Sequence, residues 1–396
     1  MKIRSNISLI LAVICLASCT DKSYKGIESD MDTGEELPVH IIVGDADEIV
    51  ESKGSGAMED GDSEVWEGKT INVFAFRRDL SSDYSVNSAS GNDDCLIDGS
   101  MDREGALGGK EAYVNGLDSY ITWRDPEDVI YYRTDGHPYD FFAYYIDQDT
   151  ADEDISRSKE DVRIMMDIDG HQDVMSAYAT LTEEQLSRPG YTEFDKIELE
   201  TYSFSSYSAK RNIHPVFYFK HHLTRLDFEM SAGSIDSENI MIDSIVVQSK
   251  SKAIFTVAHK NPSNMGLDFS VSRDYKGIAL PEADGSKLRL DTWHPIMGDD
   301  GKPVRTKIGG CLLLAPDKKY QLSVHVKENK PDGSVLRYEN RLSLSSPEGF
   351  FGEGNQYAVH LTVYGIAEIA INVEVLKWQE GGNITFDEEQ THIIKP

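Results

Sequence analysis

The residue whose setting says most about chemistry is Cys19. It closes the stretch "LASC" at 16–19, behind an apolar run over 7–16 and the positive Lys2 and Arg4. A basic start, an apolar stretch too short to span a bilayer and small residues before a cysteine make a lipoprotein signal, read in that order. Ala17 and Ser18 suit a narrow peptidase groove. The Cys19 thiol would then carry diacylglycerol, and its freed amine a third chain; two or more chains anchor a protein stably where one does not. Residues 1–18 are therefore expected to be a signal peptide, with lipidation at Cys19.

Other reactive residue types do not assemble into a site. His214, His221 and His222 invite a metal reading, but adjacent His221 and His222 point to opposite faces of a strand and cannot readily share one ion. "DIDG" at 167–170 begins like a calcium loop, but Tyr178 stands where the twelfth-position glutamate is needed. "GALGGKE" at 105–111 lacks the first glycine of a phosphate loop and the hydroxyl residue after Lys110. Carboxylates are abundant, but none stands out as an acid/base pair. No catalytic residue, metal site or cofactor is expected, and the chain is not read as an enzyme. Cys95 and Cys311 have neither metal nor redox spacing and read as independent buried thiols, with a bridge between them as the lesser alternative.

The charge narrows the partners. The chain of 396 residues has 69 acidic and 39 basic residues, a formal charge of −30. Loss of residues 1–18 removes two positive charges and no acid (−30 − 2 = −32). Such a balance disfavours nucleic acid and anionic membrane surfaces as partners.

The elements that would carry function are strands. Residues 19–36 are polar and acidic and read as a tether, with a reach of roughly 60 Å when extended. "LPVHIIV" at 37–43 then sets Leu37, Val39, Ile41 and Val43 on one face. A long Gly-, Ser- and acid-rich run over 44–69 reads as an exposed loop, and Lys53 is its first basic residue. Short strands with turn residues between them follow at 70–76, 112–116, 119–124, 129–133 and 138–146. That spacing predicts an all-β sandwich rather than βαβ units. One short helix is expected at "TLTEEQLSR", where Thr182 and Gln185 make a capping box. A second run of strands begins at "HPVFYFKHHL". The domain boundary is placed in 205–213, giving units 37–210 and 211–396. The aromatics of "YYRTDGHPYDFFAYY" resemble a sugar platform, but alternating strand aromatics are more often core.

Near the end of the chain, "EIAINVEVLKW" sets Ile369, Ile371, Val373 and Val375 on one face. The preceding "NQYAVHLTVYG" already reads as the close of a domain, so this late strand is a candidate to cover another chain's core. Four burials of this kind are worth on the order of 1.5–3 kcal/mol each.

At four places the chain resembles the Mfa-like fimbrillin family, the type V pilus subunits of Bacteroidales. These are "YDFFAYYI" at 139–146; "HQDVMSAYA" at 171–179, with Asp173, Met175 and Ala177; and "FKHHL" at 219–223, with Phe219, His221 and Leu223. The fourth is the C-terminal region, with Gly354, Tyr357, Leu361, Val363, Gly365, Trp378, Gly381 and Gly382. The resemblance implies two transthyretin-like Greek-key β-sandwich domains in tandem. It also implies export as an outer-membrane lipoprotein, proteolysis in the loop after the first strand, and filling of the vacated groove by a strand of the next subunit. The partners implied are other pilus subunits, and the location is the cell surface and the fimbrium. In the major subunits the cut follows an arginine of this loop. Here none lies between Arg4 and Arg77, and Lys53 is the best substitute. That departure favours a minor or tip component. The alternative is a non-polymerising surface lipoprotein adhesin for glycan or protein, and a surface hydrolase ranks last.

Overall fold

The computed structural model describes residues 36–44, 66, 68–78, 95–99, 107–146, 151–271 and 273–376. Cys19, Lys53, the signal peptide and most of the tether lie outside the described residues.

The described chain is all-β with a short helical insert. The strands of the first half are β1 (Leu37–Pro38), β2 (Ile42–Val43), β3 (Thr70–Arg77), β4 (Cys95–Ile97), β5 (Lys110–Tyr113), β6 (Ser119–Tyr120) and β7 (Thr122–Trp123). They continue with β8 (Tyr131–Tyr132), β9 (Tyr139–Ile146), β10 (Ile155–Arg157), β11 (Asp161–Asp167) and β12 (Val174–Tyr178). After helices α1 (Glu183–Leu186), α2 (Glu193–Thr201) and α3 (Ser206–Ala209) come β13 (Val216–Phe217), β14 (Lys220–His221), β15 (Thr224–Ala232), β16 (Ile240–Lys250), β17 (Lys252–His259) and β18 (Gly266–Asp268). The remainder are β19 (Tyr275–Ala279), β20 (Ile296–Met297), β21 (Pro303–Val304), β22 (Thr306–Leu314), β23 (Lys319–Asn329), β24 (Val335–Ser345), β25 (Gln356–Gly365) and β26 (Glu368–Leu376).

The main sheet of the first half runs β14-β12-β9-β3-β5-β7, with β4 also on β3. Both of its faces are covered. Val73, Ala75, Phe141, Ala143 and Tyr145 face one core with Val39, Ile41, Val43, Phe217 and Phe219. Phe74, Phe76, Phe142 and Tyr144 face another, under Ile164, Met166, Phe255 and Val257. This double burial explains why "YDFFAYYI" is apolar on both faces rather than alternating. Its aromatics are core, not a surface platform.

The covering sheet has the order β10-β11-β17-β18. Its pairing of β11 with β17 joins residues on both sides of 210/211, since Ile164 lies opposite Phe255. The hairpin over 252–268 thus packs with strands of the first half. The second sandwich closes sheet β22-β15-β25-β26 on sheet β19-β16-β23-β24. Its core interleaves Leu226, Phe228, Val359 and Leu361 with Ile245, Val247, Leu322 and Val324.

The helical insert departs from the sequence reading, which expected a single short helix at 180–188. The Thr182–Gln185 capping box is present as expected. Two more boxes start α2 at Thr192 with Asp195 and α3 at Ser205 with Ser208. Ser205, Ser206, Tyr207 and Ser208 are buried, and Tyr207 donates its hydroxyl to Glu198 Oε2 at 2.6 Å. Local side-chain capping of orphan N–H groups lets this polar stretch be helical and inside.

Candidate functional site

The first strand occupies an inserted position. β2 pairs in parallel with β13 on one side and antiparallel with β6 on the other. The Ile42 amide donates to the Pro215 carbonyl and the Gly44 amide to Phe217, both at 3.0 Å. On the opposite edge the Ile41 carbonyl accepts from Ile121 at 3.0 Å and the Val43 carbonyl from Asp118 at 2.7 Å. The Val39 amide reaches Ile130 at 2.8 Å, and β1 pairs with β8. Val39, Ile41 and Val43 are buried, and Leu37 packs beside them half-buried. The alternation read from the sequence thus corresponds to one buried face. Burial of three such aliphatics is worth on the order of 5–9 kcal/mol before ordering costs.

Gly44 ends this seat because a side chain has no room there. A Cβ at Gly44 would lie 2.6 Å from the Tyr218 ring and 2.9 Å from Val216. The chain next described after Gly44 is Trp66, itself buried with its ring 4.9 Å from that of Phe219. Both ends of the intervening segment therefore meet the same core.

The outward side chain at His40 meets two aromatic rings from the flanking chain. Its centroid lies 4.9 Å from that of Tyr120 and 5.4 Å from that of His214. His214 is buried, which lowers its pKa to about 4, with His40 and Arg188 adding to the effect. Sequence reasoning considered His214 only as a metal ligand and passed over His40. The sole signal was a ring-bearing residue in the middle of an aliphatic strand.

The motif at 219–223 connects the two halves. Phe219 enters the first core and Leu223 the core that contains Phe255 and Leu313. His221 turns to Asp173, and His222 turns the other way, with Nε2 2.7 Å from Ser176 Oγ and Nδ1 3.5 Å from Glu353 Oε2. Glu353 also pairs with Lys220, and His222 and Lys220 together hold its carboxyl down at about 2. Burial pushes the His222 pKa down. Gly266 on β18 leaves space for the His222 ring, 3.1 Å from where a Cβ would stand. The histidines of this motif join strands to one another. Among the described residues no group of three or more His, Cys, Asp or Glu side chains could hold a metal ion.

One arrangement has the outline of a hydrolytic triad. Ser231 Oγ lies 2.9 Å from His360 Nε2, and His360 Nδ1 lies 3.9 Å from Glu229 Oε2. The second distance is too long for a hydrogen bond, and Ser231 is buried, so a substrate has no approach to it. Burial pushes the His360 pKa down to about 4, and Arg305 contributes.

The late strand of the sequence is β26, and it lies in the chain's own sheet. Among the described residues it pairs with β25 alone, with Ile371 opposite Leu361 and Val373 opposite Val359. Ile369 is buried, and Ile371 and Val373 pack half-buried on the second core. Val375, near the strand end, is 40% exposed. Cys95 is half-buried, and Cys311 is a buried thiol. Among the described residues no helix is long and apolar enough to cross a membrane.

The sequence profile described as fimbrillin-like matches residues 96–378. Solved structures with a similar course include a candidate cell adhesion protein from Bacteroides uniformis, 13% identical with TM-score 0.45, covering 88% of this chain and 99% of that one. A candidate cell adhesion protein from Bacteroides ovatus is 11% identical with TM-score 0.45, at 88% and 99% coverage. The fimbrial anchor protein Mfa2 from Porphyromonas gingivalis is 13% identical with TM-score 0.32, at 86% and 99% coverage. No curated protein matches the chain. With a profile match over most of its length, on an all-β chain that sets the 139–146, 173–177 and 219–223 motifs in its cores and strand junctions, this protein belongs to the fimbrillin-like family.

Proposed function

We propose that the chain is a surface fimbrial subunit whose segment 37–44 is an exchangeable strand. One observation carries this reading: that short segment is seated between 118–121 and 215–217, with hydrogen bonds on both edges and three aliphatics in the core. Its departure would leave two unpaired strand edges and an apolar slot, which another chain's strand can satisfy. In this account Cys19 is lipidated, the chain reaches the outer membrane, and proteolysis near Lys53 frees the segment. The donor would be the C-terminal strand with Ile369, Ile371, Val373 and Val375, released from β25 of a neighbouring copy. A contact of that kind does not close on itself and so builds a filament.

A second reading has its own observation. β26 is paired with β25 along its length and packed on its own core. A chain whose last strand stays in place would be a surface adhesin that does not polymerise, or a terminal subunit.

The test is limited trypsin treatment of the mature protein followed by electron microscopy. The first reading expects cleavage first at Lys53 and fibres after it. Cleavage at Lys53 without fibres supports the second, and nicking at Arg77 of β3 or Arg163 of β11 while Lys53 resists overturns the first.

A further inference from the structure

His40 brings a titratable ring of the first strand against one of the body. Its ring stands nearly perpendicular to His214, at 86° and 5.4 Å between centroids. Tyr120, on the other flanking strand, closes the cluster at 5.8 Å from His214. His214 Nε2 lies 3.1 Å from Asn212 Oδ1, so that nitrogen carries the proton and Nδ1 holds a bare lone pair. Nδ1 is buried and has no hydrogen-bond partner. A proton added there would have no acceptor.

The surroundings reinforce this. From the helical insert, Gln185 donates to the His214 carbonyl at 2.9 Å, and Arg188 donates to the carbonyls of Arg211 and Asn212 at 2.6 and 3.0 Å. His40 from the first strand and Arg188 from the insert are the charged or chargeable groups that bear on His214, and both oppose its protonation. Tyr120 from β6 brings an aromatic ring. Among the described residues no carboxylate offsets them.

We propose that His40 and His214 form a proton-operated catch on the first strand, closed at neutral pH and loosened by acid. The proposal rests on the reading of 37–44 as an exchangeable strand. While the strand is seated, its backbone and the His40 ring cover His214 and keep it neutral. When the strand leaves, His214 is wetted and free to take up a proton. The open form therefore binds more protons than the closed one, and acid draws the equilibrium towards opening. The folded value near 4 against an ordinary value near 6.5 sets the window: the catch is fully closed above 6.5 and is lost as pH falls towards 4. At pH 5 the opening constant rises by up to about 30-fold over pH 7.5.

The experiment is amide hydrogen exchange on the full chain at pH 7.5 and pH 5, corrected for intrinsic rates. It follows Val39, Ile42 and Gly44 against the Gly233 amide, which donates to Val363 in the second sandwich. Opening of the first strand should rise ten- to thirtyfold relative to that reference, and the rise should fall below threefold in His214→Phe and His214→Gln. A rise below threefold in the natural chain, or an equal rise in the variants, overturns the catch. If neither variant folds, the His214 ring titration in the natural chain decides: the midpoint should move up once the first strand is removed, and an unmoved midpoint overturns it. In protein cut between 45 and 65, release of the fragment equally at both pH values sinks the catch alone, whereas no release at any pH sinks the exchangeable-strand reading.

Discussion

Asp173 and His221 face each other with no side-chain exposure, the carboxylate oxygens 3.0 and 2.9 Å from the ring Nδ1. The pair ties β12 to β14 just before the chain enters the second sandwich. Removing one member of such a buried pair leaves the other's polarity uncompensated. Asp173→Ala should cost about 3–5 kcal/mol in denaturant unfolding, and Asp173→Asn, which keeps an acceptor, distinctly less. Equal, small losses for both would remove the pair from the account.

Acid should weaken the fold through its buried neutral histidines. His214 and His360 have pKa values held at about 4 by burial, so the unfolded chain binds their protons more readily. Their contribution is fully present above pH 6.5 and is lost as pH falls to 4, about 2–3 kcal/mol for each. Unfolding free energy measured across pH 4–7 should rise with pH, and His360→Gln should flatten the slope. A slope unchanged in that variant would contradict the burial argument at His360.

The C-terminal strand supplies the next expectation. Because Ile371 and Val373 pack on the core of their own chain, replacing both with Asp should destabilise the monomer by several kcal/mol. Thermal melting of the monomer checks this. A melting temperature close to that of the natural chain would mean that β26 contributes little at home and is free to serve a neighbour.

Much of this arrangement is legible in the sequence where the physics is local. The alternation at 37–43 and 369–375 marks strands, and Thr182 with Gln185 marks a helix start. Helix α2 is harder to see because its burial involves Glu198 and Leu199 alone while Phe194 and Ile197 stay exposed, which blurs the helical period. The pairing of Ile164 with Phe255 leaves no local trace, since strand partners are chosen by tertiary packing. The meeting of His40 with His214 is hidden for the same reason. The alternation of 369–375 is the same whether it covers its own core or another's, so the sequence alone does not choose between them.

Gly44 offers a selective way to disturb the first strand. Gly44→Ala sets a methyl group against Tyr218 and Val216, a clash worth about 1–3 kcal/mol if the neighbours cannot move. Exchange of the Ile42 amide should speed up while amides of β15 and β25 stay protected. Uniform acceleration across both sandwiches would show instead that the seat cannot open by itself.

The central claim is that 37–44 occupies a slot another strand can take. The most direct measurement is binding of a fluorescent peptide with the sequence of residues 36–44 to protein cut between 45 and 65, followed by anisotropy at pH 7.5. The account predicts saturable binding to the cut protein and none to the intact chain. It also predicts loss of binding when the peptide carries Asp in place of Val39 and Ile41. A cut protein that retains its own segment and takes up no peptide, even after hours at elevated temperature below its melting point, would contradict it.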